Sequence, residues 1–172
     1  MLKSLLLAVV LFTLALSARA ESTAKISGVH LCCTSCVTGV NKAIGKVSGA
    51  TAAVDADAET VTVSAADAAT TQKAVDALVA AGYFGKSDNA AVTVANNTGA
   101  KDAKVASLVV NDVHLCCGKC VTAVAKAVEK VSGVTSHTAV KGVKTFEVKG
   151  DFSPKAVFAS IQAAGLTGKA GN

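Results

Sequence analysis

Six cysteines and two of the three histidines fall in two heptapeptides, His30-Leu31-Cys32-Cys33-Thr34-Ser35-Cys36 and His114-Leu115-Cys116-Cys117-Gly118-Lys119-Cys120. In each, a pair of cysteines is separated by two residues, Cys33/Cys36 and Cys117/Cys120, and a third, Cys32 or Cys116, comes directly before the pair. A CxxC where a strand passes into a helix brings two sulfurs close together. It also turns the unpaired amides of the first helical turn towards them, and their partial positive charge favours thiolate. Thiolate is the form that binds metal or attacks a disulfide. Two soft thiolates select soft ions, Cu(I), Zn(II), Hg(II) or Cd(II), and the third sulfur could complete a three-coordinate site.

The elements that must position these groups repeat with them. The heptapeptides lie 84 residues apart, and the twenty residues from His30 to Gly49 are matched nearly position for position by His114 to Gly133. Ala24 to Leu31 reads as a strand with Val29 and Leu31 facing the core, as do Val113 and Leu115. A helix follows each cysteine loop, with Val37, Val40, Ile44 and Val47 on one face and Val121, Val124, Val128 and Val131 on its counterpart. Gly49 and Gly133 are placed to cap these helices in the left-handed conformation. Ala50 to Asp55 and Thr60 to Ser64 form a hairpin, with Val134 to Val140 and Thr145 to Val148 as the second copy. The second helix runs from about Thr71 to Ala81; its counterpart starts at Ser153-Pro154, a cap followed by a first-turn proline. Gly82 and Gly165 close these helices before a short last strand.

The order strand, helix, strand, strand, helix, strand is that of the split βαβ, or ferredoxin-like, unit. The expected fold is therefore α+β: two ferredoxin-like βαββαβ sandwiches in tandem. The first spans residues 23–86, the second residues 105–170, and residues 87–104, small and polar, read as a linker. Residues 91–95 (AVTVA) could instead add a strand to the first unit. Aromatics are only 3% of the chain, so each core must be small, and a unit of roughly 65 to 70 residues is marginal without a metal or disulfide staple.

Residues 1–20 read as a secretory signal peptide. Lys3 opens it, Leu5 to Leu16 is its apolar run, and Ala18-Arg19-Ala20 is a small-x-small cleavage site. The apolar run is too short to span a membrane. The expectation is an exported protein, periplasmic or secreted, with no membrane span after cleavage. Net charge is +5, but the lysines are scattered and there is almost nothing to stack bases, so nucleic acid is not expected as a partner. An oxidising compartment favours disulfides, yet three cysteines per repeat leave one over after any internal pairing.

Each repeat resembles the heavy-metal-associated domain found in copper chaperones, metal-transporting P-type ATPases and the periplasmic mercury-binding protein. That family carries G-M-x-C-x-x-C at the end of its first strand. Here His30 and His114 take the glycine place, Leu31 and Leu115 the methionine place, and Cys32 and Cys116 the variable place. The resemblance implies metal ligation by Cys33, Cys36, Cys117 and Cys120, with Cu(I) first and Zn(II) or Hg(II) as alternatives. It implies as partner a metal transporter or another metal-binding protein. The departures, histidine for glycine and the extra cysteine, make Cys32, Cys116, His30 and His114 possible additional ligands, although the histidines are read first as solvated or backbone-bonded. The family often has an aromatic or lysine near the loop; Tyr83 takes that place, read first as packing, and Leu166 takes it in the second copy. His137 is expected at the surface, and Asp55, Asp57 and Glu59 in a solvated turn.

The resulting expectation is a non-enzymatic metal chaperone or scavenger. It would have one CCxxC loop in each of two domains, joined by a flexible linker that leaves the sites independent or raises local concentration for one partner. The alternatives are a thiol–disulfide redox protein, against which stands the lone Pro154 at a helix start, and an interaction module stapled by disulfides.

Overall fold

The computed structural model describes residues 21–171, so the segment read as a signal peptide, residues 1–20, lies outside the described residues. The elements in order are β1 (Ser22–Ser27), α1 (Thr34–Ile44), β2 (Ala50–Asp55), β3 (Thr60–Ala65), α2 (Ala68–Ala80) and β4 (Lys86–Ser87). They repeat as β5 (Val105–Asn111), α3 (Gly118–Glu129), β6 (Val134–His137), β7 (Phe146–Phe152), α4 (Pro154–Ala163) and β8 (Lys169–Ala170). They build two four-stranded antiparallel sheets, ordered β2-β3-β1-β4 and β6-β7-β5-β8. This is the ferredoxin-like α+β order expected from the sequence. Among the described residues no helix is long and apolar enough to cross a membrane.

Alternation decides which sheet face is covered. Ala24 and Ile26 of β1 and Val61 and Val63 of β3 are fully buried, and α1 and α2 pack on the sheet over them. In the second half Leu108, Val110, Phe146 and Val148 take the same places. The buried side chains join into one cluster running through both halves. Asp67 caps α2 by accepting from the Thr70 amide at 2.8 Å. Ser153 occupies the equivalent cap of α4 without a side-chain capping bond.

Several boundaries depart from the sequence reading. β1 ends at Ser27 rather than Leu31, because Gly28 turns the chain with φ +75. Val29 and Leu31 are nevertheless buried, as expected. α1 stops at Ile44 with Gly45 as its cap, so Gly49 (φ +80) governs the turn into β2 rather than the helix end. β6 ends at His137, where the Ala139 amide donates to His137 Nδ1 at 3.2 Å, and β7 starts at Phe146 but continues to Phe152. Residues 91–95 form no strand.

The segment read as a flexible linker is docked on both halves. Gln72 and Thr93 exchange two hydrogen bonds of 2.7 and 2.8 Å, and Val92 is buried. Farther along, Asn96 accepts from Gln162 at 2.8 Å and the Thr98 carbonyl from the Ala170 amide at 2.8 Å. Asp102 pairs with Lys155 at 2.7 Å.

The halves also meet directly, about a local pseudo-twofold axis. Tyr83 and Leu166, equivalent in the two repeats, form an antiparallel bridge. The Phe84 amide donates to Gly165 O at 3.1 Å and the Thr167 amide to Gly82 O at 2.9 Å. Gly82 (φ +91) and Gly165 (φ +77) close their helices as expected. They also stand where each half touches the other's cysteine strand. A Cβ on Gly82 would lie 2.7 Å from Asp112 O and His114 N, and one on Gly165 would strike the Gly28 carbonyl.

Candidate metal centre

Each cysteine loop delivers its sulfurs by the same local construction. Cys33 (φ −165, ψ 167) and Cys117 (φ −149, ψ 171) are the extended residues that precede α1 and α3. Their carbonyls accept the first helical bonds, from Cys36 N at 2.9 Å and Val121 N at 3.2 Å. Cys36 and Cys120 then fall inside the first turn, 3.8 and 3.7 Å from the sulfurs of Cys33 and Cys117. Neither first turn carries an acidic residue, so no carboxylate competes for the helix amides. Leu31 and Leu115 are buried beneath the loops, and Cys36 and Cys120 are buried while the other four cysteines are half-buried.

The pseudo-twofold contact sets the two loops face to face. Cys32 Sγ lies 3.3 Å from Cys117 and 3.5 Å from Cys120, both in the other half, and 3.7 Å from Cys36 in its own. Cys116 mirrors this, 3.7 Å from Cys33, 3.5 Å from Cys36 and 3.6 Å from Cys120. Cys36 and Cys120 meet at 3.8 Å. The six sulfurs thus form one cluster, and none is in a disulfide. Of the two arrangements the sequence allows, independent sites or loops that act together, the sulfur contacts favour the second. They also show where the extra cysteines point: each reaches across to the CxxC of the other repeat, which a reading of one repeat alone could not reveal.

Packed this closely, the thiols share protons. Cys36 is held down at about 2, first by hydrogen bonding from Cys120, with His114, Cys116 and Cys32 adding to it. Cys120 is pushed the other way, first by donating to Cys36. Related by the pseudo-symmetry, these two form one coupled pair, the Cys120 thiol donating to Cys36. Cys117 is lowered to about 6, first by the Cys120 backbone amide, as expected of a sulfur at a helix N-terminus. Cys32, pushed up to about 12, and Cys116 are raised, burial being the first cause. A soft cation arriving here meets sulfurs that are already partly ionised and displaces the remaining protons.

Two further side chains frame the cluster. Tyr83 is fully buried, donates its hydroxyl to Cys36 O at 2.9 Å and lies 3.1 Å from His114 Nε2, with ring centroids 4.6 Å apart. With its one proton committed to Cys36 O, the phenol accepts from the imidazole. Tyr83 therefore positions one cysteine loop and the histidine of the other, rather than only filling space. Its hydroxyl occupies the room left by Gly39, where a Cβ would collide with it. Nothing in the first repeat taken alone marks Gly39. The signal was a paired difference between the repeats, Gly39 with Tyr83 against Ala123 with Leu166.

His30 and His114, expected to be solvated or bonded to backbone, instead lie against the cluster. His114 is held by Tyr83, whereas His30 Nε2 is buried with no hydrogen-bond partner, and burial lowers the His30 pKa. A ring nitrogen of His30 stands within 4.8 Å of the Cys32 and Cys120 sulfurs. His137, 17% exposed and 3.5 Å from Glu129, organises its own turn away from the cluster. Asp55 accepts from the amides of Asp57 and Ala58 in the solvated hairpin turn. A groove of about 750 Å³ lined by Cys32, Cys33, Cys117, Lys119 and Lys126 opens the sulfurs to solvent.

No protein-family model and no curated protein matches the chain. Among solved structures, the N-terminal soluble domains of Bacillus subtilis CopA align with 16% identity and a TM-score of 0.33, covering 89% of this chain and 95% of that one. The water-soluble region of the P-type ATPase CopA from Bacillus subtilis aligns with 17% identity and a TM-score of 0.31, covering 87% and 91%.

Proposed function

We propose that this chain is an exported, non-enzymatic metal-binding protein, a chaperone or scavenger for a soft ion. Cu(I) is the first choice, with Zn(II) and Hg(II) as alternatives. Cys33, Cys36, Cys117 and Cys120 are its principal ligands, with Cys32, Cys116, His30 and His114 available to complete the coordination. The observation that carries this reading is the sulfur cluster: six free thiols, each within 3.3 to 3.8 Å of at least two others. Several like groups that repel when ionised are stable together only if protons or cations hold them, and soft thiolates choose soft cations. Half-buried sulfurs beside an open groove suit capture and hand-over by thiolate exchange, with another metal-binding protein or a transporter as recipient.

The same contacts support a second reading. Six sulfurs pooled across the repeats can close into three disulfides, and Cys32 and Cys117 at 3.3 Å are the nearest to doing so. The test offers Cu(I), Zn(II) and Hg(II) in turn to the reduced protein without air, beside a Cys33→Ser/Cys117→Ser double variant, and counts bound metal by native mass spectrometry. Metal retained by the parent and largely lost by the variant is the expected result. No metal retained, with all six thiols closing on addition of oxidant, would replace this function with the redox or stapled reading.

A further inference from the structure

The six sulfurs stand at the corners of an octahedron. Nine of its edges are the contacts of 3.3 to 3.8 Å given above. The other three edges, Cys32–Cys33, Cys33–Cys117 and Cys116–Cys117, lie within 4.8 Å. Each sulfur then has four neighbours, and the pairs left over, Cys32/Cys116, Cys33/Cys120 and Cys36/Cys117, are the opposite corners. Four alternate faces of an octahedron use every corner twice. Here three of them are Cys32–Cys33–Cys117, Cys33–Cys36–Cys116 and Cys116–Cys117–Cys120. The fourth, Cys32–Cys36–Cys120, has edges of 3.7, 3.5 and 3.8 Å.

We propose that this octahedron takes up four Cu(I) ions as one cluster, one ion on each of these faces and every sulfur bridging two. The proposal rests on the soft-metal reading above and deepens it. An ion centred on the fourth face would sit about 2.1 Å from each sulfur, a little inside the ~2.3 Å of a zinc–thiolate bond, so loading asks only for slight expansion. Cu(I) accepts three thiolates in a plane. Zn(II) asks for four ligands in a tetrahedron, and no four corners of an octahedron provide one.

Charge points the same way. Six thiolates carry six negative charges; two Cu(I) would leave four uncompensated, whereas four leave two. With Cys36 and Cys120 buried, the more complete neutralisation is favoured, since unpaired buried charge is strongly destabilising. Loading removes one proton from each sulfur that still carries one; copper enters and stays as Cu(I), so no electron moves. Three of the four faces draw sulfurs from both repeats, so neither loop alone can assemble the cluster. His30, with its unpartnered Nε2, borders the fourth face through Cys32 and Cys120.

The deciding experiment titrates the purified, fully reduced protein with Cu(I) without air. It is read by native mass spectrometry at each ratio and by copper X-ray absorption at the end point. A direct passage from metal-free to four-copper protein, with one- to three-copper species scarce and a copper–copper scattering shell beside sulfur, is the expected result. Two copper ions bound one after the other, without a copper–copper shell, would overturn the cluster and leave soft-metal binding standing. No copper retained would overturn both. Cys33→Ser removes a corner shared by two faces, so the variant should hold no more than two of the four ions. A Cys33→Ser protein that still holds four, with metal-free circular dichroism matching the parent, would also overturn the cluster. Should that variant not fold, Cys117→Ser, another half-buried corner, replaces it, and the stoichiometry of the parent decides by itself.

Discussion

Two nearly identical heptapeptides stand in different surroundings. Beside the first loop, Tyr83 bonds the Cys36 carbonyl and the His114 imidazole, with Gly39 making room for the phenol. At the equivalent place by the second loop, Leu166 is just as buried but has no polar atom to offer, and His30 Nε2 is left without a partner. The lesson is that a repeat in sequence does not guarantee equal environments. One exchange of tyrosine for leucine, far along the chain from either CxxC, gives one histidine a hydrogen-bonded place and leaves the Nε2 of the other unpartnered beside the sulfurs.

What the two sides share should fail alike, and with the largest effect. Gly82→Ala and Gly165→Ala each force a side chain at positive φ into the other half's backbone, and each is expected to lower stability by about 3 kcal/mol, at the upper end of overpacking costs. Urea unfolding would show it, and a large loss at one glycine only would break the pseudo-symmetry. The sides should part at the next level. Gly39→Ala collides with the Tyr83 hydroxyl and is expected to cost about 2 kcal/mol, whereas Ala123→Gly, on the leucine side, costs about 1 kcal/mol through helix propensity alone.

Smaller still is Tyr83→Phe, which removes the hydroxyl and both its bonds for about 1 kcal/mol. It should also free the His114 ring, visible as a shifted and broadened imidazole signal by NMR, while an unchanged signal would mean the contact does not hold the ring. The smallest effect concerns pH. Burial lowers the His30 pKa below its ordinary 6.5, so the unfolded chain binds the proton more readily than the folded one. Metal-free protein should lose stability as pH falls below about 6.5, and no further once pH is under the folded value. His30→Asn should flatten that slope in urea midpoints taken across the window, and an unaltered slope would remove His30 from the account.

The sequence made the parts legible but not their meeting. Thr60-Val61-Thr62-Val63 alternates, Val40 and Ile44 keep helical spacing, and the cysteine spacing is a local pattern, so the hairpin, the helices and the CxxC pairs could be found by eye. The strand ends at Gly28 and His137 are not legible, because a single turn residue or side-chain bond overrides a β pattern that continues past them. The union of two sulfur triplets rests on contacts spanning more than eighty residues, such as Cys32 with Cys117, which no periodicity records. Gly82 and Gly165 did leave a trace. They were recognisable as helix closers, yet their second task, letting one half's backbone touch the other's, shows only when both halves are seen together.

The bridge between Tyr83 and Leu166 makes equivalent residues of the two repeats touch each other, the kind of contact by which two copies of one protein form a symmetric dimer. Within a single chain, that encounter does not depend on protein concentration. A pair of separate subunits would lose its shared sulfur cluster on dilution. Here the docked segment between the repeats holds the partners at a high effective concentration, so the sulfur cluster persists however scarce the protein becomes.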